Sequence, residues 1–321
     1  MIIMHYLRNQ SAKIVWDNHS GEYFAVDKGV RQGGILSPFL FKLYIDGILK
    51  EITEMNVGCK LGPVRINILA YADDLVLISD TRKHLEEINL RLLEYIEHLN
   101  LLMNKDKSKC LIFENSRYGV QIEELKLGND ILENVNDYKY LGHVIERNLK
   151  DVKDVQYRLN QFYARFNSTF RKFKNVSIET FMYLFSAYCL PDYGLALWNG
   201  CDVFNQHIFN VFEIAFHRAL KRIAGVPAMY SNHDVADYCK QLLFKHYVTF
   251  IQCRYFKRIF NSNNRMIKIC LPFLMEGYLK NSLTKNLHKT YSVDLNENDL
   301  DIIHARISWV QRHELRTGIR L

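Results

Sequence analysis

The sequence predicts an α+β unit that is followed by an all-helical region. Short apolar runs of strand length, separated by turn residues, fill the first part of the chain. Two helical patterns lie among them, near residues 38–55 and 82–101. Two helices against one face of an antiparallel sheet form an α+β layer architecture. From about Lys150 onwards the hydrophobic pattern is helical throughout.

A pair of adjacent carboxylates stands between two of the apolar runs. Residues 66–70 and 75–78 have the length of buried strands, so the Tyr-Ala-Asp-Asp sequence between them is expected at a hairpin tip. Asp73 and Asp74 would repel each other there, and a divalent cation held by oxygen ligands relieves that repulsion. Asp-Asp is also common in ordinary tight turns, because Asp bonds its own backbone. The tetrapeptide alone leaves both interpretations open.

A glycine-rich loop leads into the first helix upstream of this hairpin. The loop reads Gly-Val-Arg-Gln-Gly-Gly over residues 29–34, and its glycines allow an open backbone that a ligand can approach closely. Ser37 suits the N-cap of the helix and Pro38 suits its first turn. Taken alone, a glycine loop before a helix is usually structural.

The two motifs together, in this order and spacing, resemble the palm of reverse transcriptases, in detail that of non-LTR retrotransposons. The resemblance implies that the loop and its helix line the pocket for the template base and the incoming nucleotide. The binding residues would be Arg31, Gln32, Gly33, Gly34 and Tyr71. Asp73 and Asp74 would be two of the three carboxylates that hold two Mg²⁺ ions. The implied partners are an RNA template, a DNA primer and deoxynucleoside triphosphates.

Two further segments extend the resemblance. Lys107 matches a lysine near the leaving pyrophosphate, where it would donate a proton or screen charge. A solvated basic turn is the equal alternative for this lysine. The sequence Tyr-Lys-Tyr-Leu-Gly at residues 138–142 resembles the primer-grip hairpin, with an ordinary strand carrying aromatic cross-strand pairs as its alternative.

One part of the family pattern is missing from the sequence. The remaining catalytic aspartate stands upstream of the glycine loop, in a Phe-x-Asp-x-x-x-Ala-Phe-Asp type segment that residues 1–28 do not contain. Those residues are expected to form a strand hairpin around residues 18–21, and neither Asp17 nor Asp27 stands in the family context. We therefore expect an N-terminally truncated member that is inactive as an isolated chain. A lost metal ligand costs on the order of a thousandfold in rate.

Two other functions compete with RNA-directed DNA synthesis. A non-catalytic nucleic-acid-binding protein, either a decayed element or a reused scaffold, would bind without any synthesis. An intron-encoded maturase shares the palm, but Val30 and Arg31 make the loop closer to that of non-LTR elements.

Positive charge is concentrated directly after the predicted palm. The formal net charge is +7, and residues 147–174 hold eight basic and two acidic side chains. Arg158, Arg165 and Lys172 fall seven apart in a predicted helix and line up beside an aromatic stripe. Such charges usually form a solvated helix face. The position of this helix directly after the predicted palm nevertheless favours a thumb helix that contacts nucleic-acid phosphates.

The patterns divide the chain into three parts. Residues 1–145 would form a partial palm, residues 146–175 a thumb-like basic helix, and residues 176–321 a helical C-terminal region. A basic cluster in the last part, Arg254 with Lys257 and Arg258, either binds single-stranded nucleic acid beside its aromatic neighbours or covers a core.

The cysteines indicate the cellular compartment of the protein. The seven cysteines include no Cys-x-x-Cys pair, which argues against a zinc ribbon. Their odd number and the lack of a signal peptide predict a nuclear or cytoplasmic protein that is not secreted. No apolar run has the length that crosses a membrane, so no membrane partner is expected.

Overall fold

The chain forms two compact units in the computed structural model. The structure describes residues 3, 8, 10–26, 29–113, 124–128, 130–190, 192–198 and 207–274. The first unit contains residues 1–105 and 125–131, and the second contains residues 106–124 and 132–321. Residues 132–145 lie in the second unit and pack with the helix that follows them.

The first unit combines two helices with short strand pairs in its described residues. Its helices are α1 (Ser37–Glu54) and α2 (Arg82–His98). Its antiparallel pairs are β1 (Ser11–Ala12) with β4 (Phe24–Ala25), β2 (Val15–Trp16) with β3 (His19–Ser20), β5 (Cys59–Leu61) with β6 (Val64–Ile66), β7 (Ile68–Tyr71) with β8 (Asp74–Leu77), and β10 (Lys126–Leu127) with β11 (Asp130–Ile131).

The second unit is mainly helical. Its strands are β9 (Lys109–Leu111), parallel to β12 (Glu133–Val135), and β13 (Asp137–Tyr140), antiparallel to β14 (His143–Glu146). Its helices are α3 (Val152–Phe173), α4 (Ile178–Leu184), α5 (His207–Ala224), α6 (Asn232–Tyr238), α7 (Phe244–Phe260) and α8 (Arg265–Leu274). A π-helical turn, Phe185–Cys189, continues α4. None of the helices described is long and apolar enough to cross a membrane.

The predicted helices and hairpins are present, whereas a continuous sheet is not. Both helices of the α+β unit and the basic helix lie within a few residues of their predicted positions. The N-terminal hairpin turns between β2 and β3, slightly before the predicted residues. In the described part of the chain every ladder has two strands, so the expected antiparallel sheet with helices on one face does not form a single layer. Strands of two to four residues offer few ladder hydrogen bonds to a third strand.

The core of the first unit lies between α1 and α2. Ile48 and Ile52 of α1 are buried against Ile88 and Leu92 of α2. These residues recur three to four positions apart, which places them on one face of each helix. Ile68, Leu75 and Leu77 pack on the same core, so β7 and β8 are anchored to the helices.

The core of the second unit is built around the aromatic stripe of α3. The ring centroid of Phe162 lies 6.1 Å from that of Phe166, 6.1 Å from that of Phe185 and 5.5 Å from that of Phe212. All four side chains are buried. The interpretation of this stripe as core packing is therefore confirmed, although Phe173 at its end is exposed.

A buried carboxylate joins α3 to the β13–β14 hairpin. Asp154 is fully buried and accepts from Arg158 Nε at 2.8 Å, Trp198 Nε1 at 2.8 Å and the Val144 amide at 3.0 Å. His143 Nδ1 lies 3.2 Å from the same carboxylate. Burial alone would raise the pKa of Asp154, but the nearby His143 and the hydrogen bonds from Arg158, Val144 and Trp198 outweigh it and hold that pKa below its ordinary value.

The carboxylate hairpin in the first unit is held by a buried amide. Asn67 Nδ2 donates to the carbonyl oxygen of Ile52 at 2.5 Å and to that of Val57 at 3.3 Å. The Asn67 carbonyl accepts from the Ile78 amide at 2.8 Å and so extends the β7–β8 ladder. Gly58 has a φ of +112°, and a Cβ there would lie 2.6 Å from the Asn67 Cβ. Asn67 therefore ties the base of the hairpin to the end of α1.

Replacing Asp154 by Asn should destabilise the second unit by about 3–5 kcal/mol at pH 7, because Arg158 would stay buried without its counter-charge. Urea unfolding followed by circular dichroism measures this loss. Since the pKa of Asp154 is lowered in the fold, its stabilising effect is fully present above about pH 4 and is lost as the pH falls further. The difference between wild type and D154N should therefore shrink at pH 3.

The matched control for this substitution is Asp137→Asn. Asp137 pairs with Lys153 at the surface, where loss of the pair should cost less than about 1 kcal/mol. Equal unfolding free energies for D154N and D137N would contradict the importance of the buried network.

Replacing Asn67 by Leu should destabilise the first unit by at least about 1–3 kcal/mol, because carbonyl groups at the end of α1 would lose their buried donor. The expected measurement is faster amide hydrogen exchange in β7 and β8. Asn56→Ala changes an exposed asparagine near the same helix end and should leave exchange in the hairpin unchanged. Unaltered protection in N67L would show that the amide does not hold the hairpin.

Candidate active site

The predicted hairpin tip is confirmed. Tyr71 pairs with Asp74 at the end of the β7–β8 ladder, and Ala72 and Asp73 form the two-residue turn between them. Ala72 has a φ of +53°, the left-handed region that a residue with a Cβ rarely adopts. Such backbone strain persists when the surrounding structure fixes it, and it is common at functional sites.

Both carboxylates of the tip face solvent. Asp73, Asp74 and the Tyr71 ring are exposed, the last to 65%. Over the described residues, neither carboxylate has a hydrogen-bond or ion-pair partner. The hairpin thus presents two adjacent, uncompensated negative charges, which is an arrangement that favours binding of a cation.

The donor set of the tip suits a hard divalent cation. Mg²⁺ is commonly held by one or two carboxylates together with water and substrate phosphates. In the part of the chain that the structure describes, no cluster of three His, Cys, Asp or Glu side chains accompanies Asp73 and Asp74. The two carboxylates are therefore suited to hold a metal ion together with water and substrate phosphates. They do not enclose an ion by themselves.

The glycine loop is an exposed turn in the same unit. The Gly34 amide donates to the Arg31 carbonyl at 3.0 Å, and Gly33 between them has a φ of +78°. This φ is typical of the third position of a type II turn, which favours glycine. No atom lies within 4 Å of a Cβ built on Gly33, so backbone conformation rather than space requires the glycine. The side chains of Arg31 and Gln32 are exposed.

Ser37 stabilises the loop in a way that differs from the prediction. Helix α1 begins at Ser37 itself, its N-cap is Leu36, and no side-chain cap is formed. The Ser37 hydroxyl donates instead to the Arg31 carbonyl at 2.5 Å, and the Ser37 amide donates to the Gly34 carbonyl at 3.1 Å. The buried serine therefore closes the turn onto the start of α1, and α1 in turn contacts β7.

Lys107 lies in the second unit, in an exposed turn before β9. Its carbonyl accepts from the Tyr138 hydroxyl at 3.1 Å, which links this turn to β13. The β13–β14 hairpin matches the predicted position, and its turn residues Leu141 and Gly142 have φ values of +45° and +81°. Two positive values are typical of the type I′ turn of a tight hairpin. The role of Lys107 at pyrophosphate stays a prediction.

Arg158 is not placed to contact a nucleic acid. Its side chain is 4% exposed and is bound to Asp154, and a second nitrogen donates to the Gly142 carbonyl at 3.0 Å. Spacing by seven aligns residues on a helix, but it does not show which aligned residue is covered by a neighbouring element. Arg165 and Lys172 are exposed, as the prediction requires.

Arg222 adds a basic side chain beside α3 that the sequence did not indicate. Its guanidinium lies 5.3 Å from the Phe166 ring centroid and 4.4 Å from that of Phe170, and it donates to Asn167 at 3.2 Å. Arg222 comes from α5, and no local pattern relates a residue of one helix to the surface of another. Asn67 was detectable as the one polar residue in an otherwise apolar run.

The first part of the chain matches a known protein family. Residues 2–145 match the family model described as reverse transcriptase (RNA-dependent DNA polymerase). This segment contains the glycine loop, the carboxylate hairpin and the β13–β14 hairpin.

Three relatives illustrate the similarity. The Pol polyprotein of retrotransposable element R2DM from Drosophila melanogaster is 33% identical over 39% of this chain and 12% of its own length. That of an R2 element from Nasonia vitripennis is 31% identical over 44% of this chain and 14% of its own length. The RNA-directed DNA polymerase of the mobile element jockey from Drosophila melanogaster is 21% identical over 73% of this chain and 26% of its own length.

The aligned parts cover about a quarter or less of these relatives. The family model itself spans the segment on which the hairpin and the loop both lie. Residues 2–145 therefore match the reverse transcriptase family, and the chain is similar to the polymerases of the R2 and jockey mobile elements.

Proposed function

We propose that this chain is part of a mobile-element polymerase that copies an RNA template into DNA by two-metal nucleotidyl transfer. The observation that carries the proposal is the hairpin tip, where Asp73 and Asp74 are exposed and unpaired within the described residues. Asn67 and the α1–α2 core hold the base of the hairpin. A rigid support of this kind suits a metal ligand, which must keep its geometry through the reaction.

Each motif has a defined role in the proposed reaction. When bound, two Mg²⁺ ions supply Lewis acidity and neutralise charge on the attacking and leaving oxygens. Asp73 and Asp74 would hold them, with a further carboxylate from outside the described residues. The open turn at Gly33 and Gly34 lets the backbone approach a nucleotide closely. Arg31 would contribute its guanidinium to phosphate oxygens.

Other side chains would act on the template and the leaving group. Gln32 offers amide donors and acceptors that suit a base edge, and the exposed Tyr71 ring offers a stacking face. Lys107 would donate a proton to pyrophosphate or screen its charge. RNA, primer and deoxynucleoside triphosphates are therefore the proposed partners.

A second candidate function is nucleic-acid binding without synthesis. The exposed basic side chains beside α3, which are Arg165, Lys172 and Arg222, favour it. Phosphate contacts by such residues give affinity without sequence preference and do not require the carboxylates.

Asp73→Asn and Asp74→Asn should each lower primer extension on an RNA template by on the order of a thousandfold or more, because each removes charge from a metal ligand. Extension is measured with the purified chain, and with the chain joined to the upstream aspartate segment of an R2 relative. The matched control is Asp80→Asn, an exposed aspartate of the same unit outside the tip.

Primer–template binding by D73N should stay within a few-fold of wild type. Full synthesis by D73N and D74N would contradict the metal assignment. No synthesis by the wild-type chain in either form, with binding retained, would favour the second candidate function.

Replacing Arg165 and Lys172 together by Ala should reduce the magnitude of the slope of log affinity against log salt by about one to two. For each phosphate contact that is lost, binding releases about one counterion fewer. Fluorescence anisotropy with a labelled primer–template measures this slope. Lys50→Ala with Lys13→Ala removes two exposed lysines of the first unit and serves as the charge-matched control. An unchanged slope in the first double variant would exclude α3 as a phosphate-contacting helix.

A further inference from the structure

A cavity of about 190 Å³ opens in the second unit, and one of its lining residues is Arg254 of the basic cluster named above. Leu190, Leu242 and Ile251 give it apolar walls, whereas Ser186, Lys240 and Arg254 bring polar groups to it. The cavity is smaller than the roughly 300–1,000 Å³ of sites for drug-sized ligands. It therefore suits a compact group rather than a whole nucleotide.

The charge of this cavity is positive and uncompensated. Lys240 and Arg254 both line it, and its lining contains no carboxylate. Within the described parts of the chain, neither side chain forms an ion pair or a side-chain hydrogen bond. Two like charges that line one cavity without a counter-ion repel each other, so an anion bound between them would be stabilising.

The backbone at Lys240 shows that a lysine is an unusual choice there. Helix α6 ends in a Schellman motif, in which the Gln241 amide donates to the Ala236 carbonyl at 2.8 Å and Lys240 has a φ of +52°. Helices α2 and α5 end in the same way, with Asn100 and Gly225 at the corresponding position. Glycine and asparagine tolerate this left-handed conformation, whereas lysine is strained in it.

The strain at Lys240 therefore has no role in ending the helix, since glycine would end it better. A strained residue that persists points to a demand on its side chain. Lys240 lines the cavity, so we infer that the demand is for a positive charge there.

The lining of the cavity includes part of a second irregular feature. The π-helical turn Phe185–Cys189 is closed by a bond from the Leu190 amide to the Phe185 carbonyl at 3.1 Å. Single π-helical turns occur frequently at functional sites. This turn contributes the exposed Ser186 to the cavity, and a hydroxyl is a donor that anions accept.

We propose that this cavity binds a phosphate group, held by Lys240 and Arg254 with Ser186 as a neutral donor. Arginine and lysine are the usual cationic partners of phosphate, and the small volume fits one tetrahedral group. The phosphate is either free inorganic phosphate or the terminal phosphate of a nucleic-acid strand. The site shares no residue with the carboxylate hairpin and does not depend on the proposed polymerase activity.

The test is isothermal titration of the full chain with inorganic phosphate at constant ionic strength. Lys240→Gly and Arg254→Gln should each weaken phosphate binding about tenfold or more, because each removes a charge-assisted contact. Lys240→Gly should also raise the melting temperature by about 2–4 °C, since glycine relieves the left-handed strain. Lower affinity in a more stable protein cannot be attributed to misfolding.

Two controls match these variants. Arg258→Gln removes the same charge one turn further along α7, outside the cavity lining, and should keep wild-type affinity. Asn100→Gly changes the corresponding helix-end position of α2 and should also keep it. Wild-type affinity in K240G and R254Q, or an equal loss in R258Q, would overturn the proposal.

Oligonucleotide competition distinguishes the two sources of phosphate. Displacement of inorganic phosphate by a 5′-phosphorylated single strand, but not by the same strand without its phosphate, would identify a strand end. Phosphate binding that neither strand displaces would identify the free anion. Displacement by both strands equally would contradict a site for a terminal phosphate group.

Discussion

The buried amide of Asn67 is the interaction on which the candidate active site depends. A hairpin with ladders of four residues is marginal by itself, and its tip carries two like charges and a strained alanine. The hydrogen bonds from Asn67 to the end of α1 supply the fixed base that such a tip requires. The fold then tolerates the repulsion between Asp73 and Asp74. A bound cation would relieve this repulsion.

The second unit solves a related electrostatic problem in the opposite way. Asp154 and Arg158 are both buried, and each satisfies the other inside a ring of hydrogen bonds that includes Trp198. Charges that are paired in this way stabilise and orient the fold. Charges that are exposed or unpaired, such as those of Arg165 and Lys240, remain available to a polyanion or a phosphate. Pairing, rather than the number of charges, separates structural side chains from candidate binding side chains.

Periodicity and turn chemistry predicted the helices, the two tight hairpins and the aromatic core, because each of these depends on residues close together in sequence. The recurrence of Ile88, Leu92 and Ile96 at every fourth position of α2 is an example. The fate of Arg158 could not be predicted in this way. Its guanidinium donates to the Gly142 carbonyl, and Trp198 bonds the Asp154 carboxylate that Arg158 also contacts; both residues come from other elements.

The same limit applies to the candidate site. The adjacent aspartates and the glycine loop were visible as motifs in the sequence. The hydrogen bond from Ser37 to Arg31, and those from the Asn67 side chain to the end of α1, could be seen only in the structure. The strain at Lys240 was equally hidden, since the sequence around it contains no glycine to mark the helix end. The sequence identifies reactive groups more readily than the contacts that hold them.

The most direct test of the account is to locate a divalent ion by Mn²⁺ titration of the isotope-labelled chain, observed as paramagnetic broadening of amide signals. We expect the amides of Tyr71, Ala72, Asp73 and Asp74 to broaden first and Mg²⁺ to compete for the same place. Broadening that spares this tip and centres on other carboxylates would contradict the assignment of Asp73 and Asp74 as metal ligands.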